Sequence, residues 1–350
     1  MELVVSIRKR LRDFVLEAEF EVHDEILALL GASGCGKSMT LKCIAGIERP
    51  DEGRILLNGR TLFDSEKGID QSPQLRKVGY LFQNYALFPN MTIADNILFV
   101  AKGTRQEKER KMRENLARFG LSGLEHAYPS ELSGGQQQRA AFARILSSEA
   151  ELLLLDEPFS ALDSYLRWQL ELELMEVLKS YAGTALLVSH DRNEVYRLAN
   201  RVAVMNHGGI EAIDGKERLF RNPGTLAATL LTGCKNVSSA HWEGEGVLFA
   251  DEWEIPLHVG GEAFDGKSGV RYVGLRAHFL EYREEAGENT FPMEVVQVIE
   301  DTFSYLVMVR RKGTQAKPIR WELDKKEWQS ICNGEIHLHF PAAHLILLER

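Results

Sequence analysis

A chain of 350 residues with 44% hydrophobic content carries enough apolar sequence for large cores, and its length favours two domains over one. The formal net charge of -9 excludes a general basic footprint, so no nucleic-acid partner is expected. The four cysteines, Cys35, Cys43, Cys234 and Cys332, are too scattered for a metal motif or a disulfide framework and suit a reducing cytosol. The opening MELVVSIRKRLRDF lacks the apolar core of a signal peptide. No stretch reaches the roughly 18 to 20 apolar residues of a membrane span, so action at a membrane is expected to go through partners.

Alternating segments at residues 3–7 and 14–22 predict an antiparallel strand layer. A short buried strand is predicted at 26–30 and a helix at 39–47, and between them runs Gly31-Ala32-Ser33-Gly34-Cys35-Gly36-Lys37-Ser38. This stretch matches every fixed position of a phosphate-binding loop. The glycines let the backbone close around a polyphosphate, and the positive end of the following helix meets the negative charge. Lys37 can reach the β- and γ-phosphates, and the Ser38 hydroxyl can ligate Mg²⁺. Further strands are predicted at 54–57, 78–82, 152–155, 185–188 and 202–205. The four leucines at 152–155 fit a central parallel strand buried on both faces. Residues 92–148 are helical in pattern, with the charged run 105–113 as a solvated face, and 163–181 reads as an amphipathic helix packed on the sheet. From about residue 233 the texture changes to short, glycine-punctuated segments at 246–250, 269–275, 293–299, 305–309 and 335–340. They predict a second, all-β domain in the form of a small barrel.

A phosphate loop alone says only that a nucleoside triphosphate binds. The apolar strand 152–155 ends in Asp156 and Glu157, an arrangement that places Asp156 near the Mg²⁺ on Ser38. Glu157 then projects toward the γ-phosphate, where a carboxylate can accept a proton from the attacking water. Shortly before that strand stands Leu132-Ser133-Gly134-Gly135-Gln136-Gln137-Gln138-Arg139. By itself it could be an ordinary helix cap, with Ser133 as the N-cap residue. Together with the other motifs it makes the chain resemble the nucleotide-binding subunit of an ABC transporter.

The resemblance implies an α/β P-loop NTPase, an ABC ATPase core with an antiparallel β layer and a helical subdomain, over residues 1–232. The helical subdomain would occupy about 84–150 and a β-rich accessory domain, similar to the TOBE and MOP-like barrels, 233–350. It also implies that Ser133, Gly134, Gly135 and Gln136, with Asp163 of the Ser160-Ala161-Leu162-Asp163 loop, contact ATP held by a second copy of the chain. Gln83 resembles the glutamine that touches Mg²⁺ and water, and His190 the switch histidine at the γ-phosphate. Phe14 is the aromatic in the place where the family stacks a ring on adenine; a core phenylalanine of the strand layer is the alternative reading. Met39 after Ser38, and Ala140-Ala141-Phe142 after Arg139, depart from the common pattern without removing a ligand.

Implied partners are a second copy in a head-to-tail homodimer, transmembrane permease subunits and, indirectly, an extracytoplasmic solute-binding protein, with the chain at the cytoplasmic face of the membrane. Within the family, the segments Gly233-Cys234-Lys235-Asn236-Val237 and Val273-Gly274-Leu275-Arg276-Ala277-His278 resemble the accessory domain of importers for molybdate, tungstate or sulfate. Arg276 and His278 are candidate contacts for a regulatory oxyanion there. Subunits for iron(III), polyamine or sugar uptake are the alternative. A non-transport ABC ATPase is disfavoured by the single core and absent heptads, and a P-loop kinase leaves the Ser133 motif and His190 without purpose.

Overall fold

The computed structural model describes residues 1–160, 164–181, 183–244, 246–260 and 269–349. The chain divides into two compact units, Met1–Lys216 and Glu217–Arg350. The first holds strands β1 (Glu2–Arg10), β2 (Val15–His23), β3 (Ile26–Gly31), β4 (Glu52–Leu57), β5 (Arg60–Asp64), β6 (Ile69–Asp70), β7 (Val78–Leu81), β8 (Leu152–Asp156), β9 (Thr184–Ser189), β10 (Arg201–Asn206) and β11 (Gly209–Gly215). Its helices are α1 (Lys37–Ala45), α2 (Ile93–Val100), α3 (Arg105–Arg118), α4 (Gly134–Ser147), α5 (Ser164–Ser180) and α6 (Arg192–Leu198).

All eleven strands form one sheet in the order β6-β5-β4-β1-β2-β11-β10-β3-β9-β8-β7. Every neighbouring pair from β10 to β7 is parallel. Their composition explains the difference from the rest. Each residue of β8 and β9 is buried, which suits strands covered on both faces, whereas β1 and β2 alternate buried and exposed positions and so cover one face only. The β1–β2 hairpin pairs throughout, from Glu2 opposite His23 to Arg10 opposite Val15.

β5, β6, β11 and α6 lie outside the segments read from sequence. In β11 every residue is half-buried, so no period of two marks it. Phe14 sits in the turn before β2 and not in the strand; Leu11 N–H donates to its carbonyl at 2.9 Å. Helix α1 starts at Lys37, two residues before the expected start, because Gly36 with φ +110° serves as its N-cap. Its other end is capped by Arg76, a fully buried guanidinium that donates to the Cys43 and Ile44 carbonyls at 2.9 Å each, to Gln71 O at 2.8 Å and to Asp70 at 2.9 Å. Gly46 N–H also donates to the Cys43 carbonyl at 3.2 Å, so Arg76 adds to a backbone cap at a helix end whose last carbonyls lack intrahelical partners.

Between β7 and β8 the chain runs through α2, α3 and α4. Thr104 and Glu107 cap α3 reciprocally, and Arg105–Glu109 and Arg110–Glu114 pair along its exposed face.

The second unit carries α7 (Lys216–Arg221), α8 (Leu226–Leu231) and α9 (Lys325–Ile331) around β12 (Asn236–Gly244), β13 (Val247–Ala250), β14 (Ile255–His258), β15 (Tyr272–Leu275), β16 (Glu281–Arg283), β17 (Thr290–Glu300), β18 (Ser304–Arg311), β19 (Ile319–Asp324), β20 (Ile336–His339) and β21 (Ile346–Leu348). Two five-stranded sheets, β14-β13-β12-β15-β21 and β16-β20-β17-β18-β19, enclose one core around Trp253, Trp321 and Phe340. The Trp321 indole is satisfied in that core by donating to Leu280 O at 3.2 Å.

Candidate active site

The carboxyl ends of β3, β9 and β8 lie side by side, with Leu30 opposite Ser189 and Asp156 opposite Val188. In open parallel sheets this is where ligands bind. The phosphate loop leaves β3, Asp156 and Glu157 close β8, and His190 follows β9. Three segments far apart in sequence thus meet at one sheet edge.

Gly31 is required where the loop departs, since a Cβ there would stand 2.4 Å from the Met205 carbonyl oxygen. Lys37 is 4% exposed, and its ammonium donates to the Gly31 and Ala32 carbonyls at 2.8 and 2.9 Å. The first turn of α1 holds no acidic residue, so nothing within the helix neutralises its positive end. Phe14 lies against the same loop, with its ring 3.5 Å from the point where a Gly36 Cβ would project.

Asp156, 6% exposed, accepts from the Ser38 hydroxyl at 2.7 Å and from the Tyr80 phenol at 2.8 Å. Burial, and then the adjacent Asp156 charge, push the Tyr80 phenol well above its usual pKa and keep it a donor. The oxygens of Ser38 and Asp156 are hard ligands beside a phosphate loop. That set suits Mg²⁺, which takes one or two protein oxygens together with substrate phosphates. Among the described residues no cluster of three or more His, Cys, Asp or Glu could hold a metal by itself.

Glu157 adopts the left-handed conformation at φ +46°, unusual for a residue with a side chain. Its N–H donates to Val188 O at 3.0 Å, and its carboxylate lies 3.4 Å from His190 Nδ1. His190 is half-exposed. Ser189 holds the backbone beside it: the hydroxyl donates to the buried Glu194 at 2.6 Å and accepts from Asp191 N–H at 2.9 Å.

Gln83 is exposed in the turn after β7, at the outer side of β8. Ser133 caps α4 reciprocally with Gln136, accepting from its N–H at 3.3 Å while the Gln136 side chain accepts from Ser133 N–H at 2.9 Å. The helix-cap geometry is therefore present, and the first turn of α4 also lacks an acid. Ser133 and Gly134 are exposed. Asp163 lies outside the described residues. Arg276 departs from its candidate role: its guanidinium donates to Thr232 O at 2.8 Å, to the Thr232 hydroxyl at 3.2 Å and to Phe220 O, which commits it to the ends of α7 and α8.

Tyr80, Ser189 and Gln138, whose amide donates to Pro158 O at 2.7 Å, went unassigned in the sequence. Tyr80 and Gln138 act on residues of other elements, where no spacing signals the bond, while Ser189 acts locally on Asp191 and Glu194 at the start of α6.

A family model described as ABC transporter matches residues 18–160. The trehalose/maltose import ATP-binding protein of Thermococcus litoralis is 36% identical over 85% of this chain and 84% of its own length. The sulfate/thiosulfate import ATP-binding protein of Xylella fastidiosa is 39% identical over 67% of this chain and 68% of its own length. Among solved structures, a dimeric post-hydrolysis ATP-binding cassette bound to ADP and Pi superposes with a TM-score of 0.52 at 25% identity, covering 62% of this chain and 99% of that one.

Proposed function

The chain belongs to the ATP-binding subunits of ABC importers, and on that premise we propose how its residues divide the hydrolysis of ATP. The observation that carries the reading is the pair of contacts at neighbouring strand ends, Ser38 to Asp156 at 2.7 Å and Glu157 to His190 at 3.4 Å. Gly31 to Met39 cradle the phosphates, Lys37 turns its ammonium from the loop carbonyls to the β- and γ-phosphates, and Phe14 stacks on adenine. Ser38, Asp156 and Gln83 would hold Mg²⁺, which supplies neutralisation of phosphate charge when bound. Glu157 orients water and takes its proton, and His190 contacts the γ-phosphate beside it. Ser133 to Gln136 and Asp163 complete the site of a second copy, so the working unit is a homodimer with two ATP molecules at its seam.

Residues 1–232 form the ATPase and 233–350 the accessory domain in this reading. The chain docks on permease subunits at the cytoplasmic face of the membrane and is served by an extracytoplasmic solute-binding protein. Among the described residues no helix is long and apolar enough to cross a membrane. The solute we infer is an oxyanion of the sulfate, molybdate or tungstate class, supported by the sulfate/thiosulfate relative. A sugar is the second reading, favoured by the longer match to the trehalose/maltose relative.

Glu157→Gln tests the site. It preserves shape and removes the proton acceptor, so ATP turnover should fall by about 100-fold or more while nucleotide affinity holds. The variant should also migrate as a dimer with ATP and Mg²⁺. Turnover near that of the parent chain removes Glu157 from the mechanism. Uptake of sulfate, molybdate or maltose by the reconstituted transporter decides the solute.

A further inference from the structure

Phe82, Gln83, Asn84 and Tyr85 form a turn closed by Tyr85 N–H to Phe82 O at 2.9 Å, with Gln83 as its first central residue. The two residues that leave the turn, Tyr85 and Ala86, both adopt left-handed backbone at φ +60° and +44°. Neither is a glycine, so each conformation carries a cost and persists only where neighbours impose it.

The imposing group is Arg144 of α4, 7% exposed. Its two terminal nitrogens split between the strained residues, Nη1 donating to Ala86 O at 2.7 Å and Nη2 to Tyr85 O at 3.0 Å. The guanidinium carbon also lies 5.4 Å from the centre of the Phe88 ring. Phe88 is held in turn by Asn96 of α2, fully buried, which accepts from Phe88 N–H at 2.8 Å and donates to Phe88 O at 3.1 Å. Two helices of the 92–148 region thus grip the chain that carries Gln83. A buried cation held by carbonyls and a ring is an expensive way to fill space, because desolvation penalises it where an apolar side chain would pack freely.

We infer that Arg144 is a positioning residue for Gln83, fixing the turn that presents it and tying that turn to the helix whose N-terminus carries Ser133 to Gln136. The proposal rests on the assignment of Gln83 to the metal and water given above. Only a planar fork spans two carbonyls on adjacent residues; a lysine ammonium is a point donor that reaches one geometry at a time.

The test is a double-mutant cycle on the purified full chain with Gln83→Ala and Arg144→Lys, reading ATP turnover, ATP affinity and melting temperature. Should Arg144→Lys fail to give folded protein, Arg144→Gln, neutral and able to donate to one carbonyl, takes its place. Arg144→Lys is expected to lower kcat by about tenfold through displacement of Gln83, with KM for ATP unchanged. In the Gln83→Ala background the same change should cost nothing further. Fold-losses that multiply across the cycle, a rise in KM that accompanies the loss, or kcat at the parent level overturns the role of Arg144. If Gln83→Ala alone leaves turnover intact, the assignment of Gln83 itself falls, and the proposal with it.

Discussion

Tyr80→Phe deletes one oxygen and leaves the ring in place against Phe82, whose centroid is 4.3 Å away. What is lost is the donor to Asp156 Oδ2 at 2.8 Å, on a carboxylate only 6% exposed. A hydrogen bond to a charged group contributes about 1.5–3 kcal/mol. At about 1.4 kcal/mol per factor of ten, its removal should weaken Mg²⁺-dependent function by roughly 10- to 100-fold, the range seen when a partner orienting a metal ligand is deleted. The remaining donor, Ser38, is itself assigned to the metal, so among the described residues Asp156 keeps no other side-chain donor to hold its orientation. The assay is ATP turnover against Mg²⁺ concentration, with nucleotide binding measured separately in EDTA. The half-saturating Mg²⁺ concentration should rise while metal-free nucleotide affinity stays constant. An unchanged Mg²⁺ curve from a variant that melts with the parent chain would refute the argument that Tyr80 orients Asp156.

Lys37→Ala removes the cation proposed to meet the phosphates and should lower affinity for a fluorescent ATP analogue by roughly 10- to 100-fold, the loss of one charge-assisted bond; unchanged binding contradicts its role. Arg76→Met removes the side-chain donor from four acceptors at once while the Gly46 backbone cap of α1 stays, and should cost about 3–5 kcal/mol, read as a fall in the melting temperature of the full chain; an unshifted transition would show the guanidinium to be dispensable. Burial, against the bond from Ser189 and with the nearby Asp191 and Glu171 adding to it, raises the Glu194 carboxyl above the ordinary carboxylate range. The native chain therefore keeps this proton to higher pH than the unfolded chain, so the contribution is full at acid pH and is lost as pH rises through the raised value. Glu194→Gln abolishes that loss, and its stability relative to the parent should improve from about pH 5 to about pH 8 in urea melts; parallel curves at the two pH values would exclude it.

The candidate motifs of this chain are legible wherever they are contiguous. Gly31 to Ser38, Asp156 with Glu157, and Ser133 to Gln136 each bring their own backbone geometry and their own functional groups, and residue type and order are sufficient to read them. The buried strand β8 was equally plain, since four leucines in succession satisfy only a position covered on both faces.

What tertiary structure alone decided are the bonds that aim those groups. Tyr80 reaches Asp156 because β7 lies beside β8, and Ser38 reaches it because β9 alone separates β3 from β8. Hydrophobic periodicity identifies a strand but carries no record of its neighbours, so no reading of the segments yields that order. The same holds for Arg144, whose partners lie 58 and 59 residues earlier, and for Arg276, a basic residue that looked available in sequence and is spent on helix carbonyls in the fold. A side chain's type states what it can bond; only the packing of elements distant in sequence settles which acceptor stands within 3 Å of it.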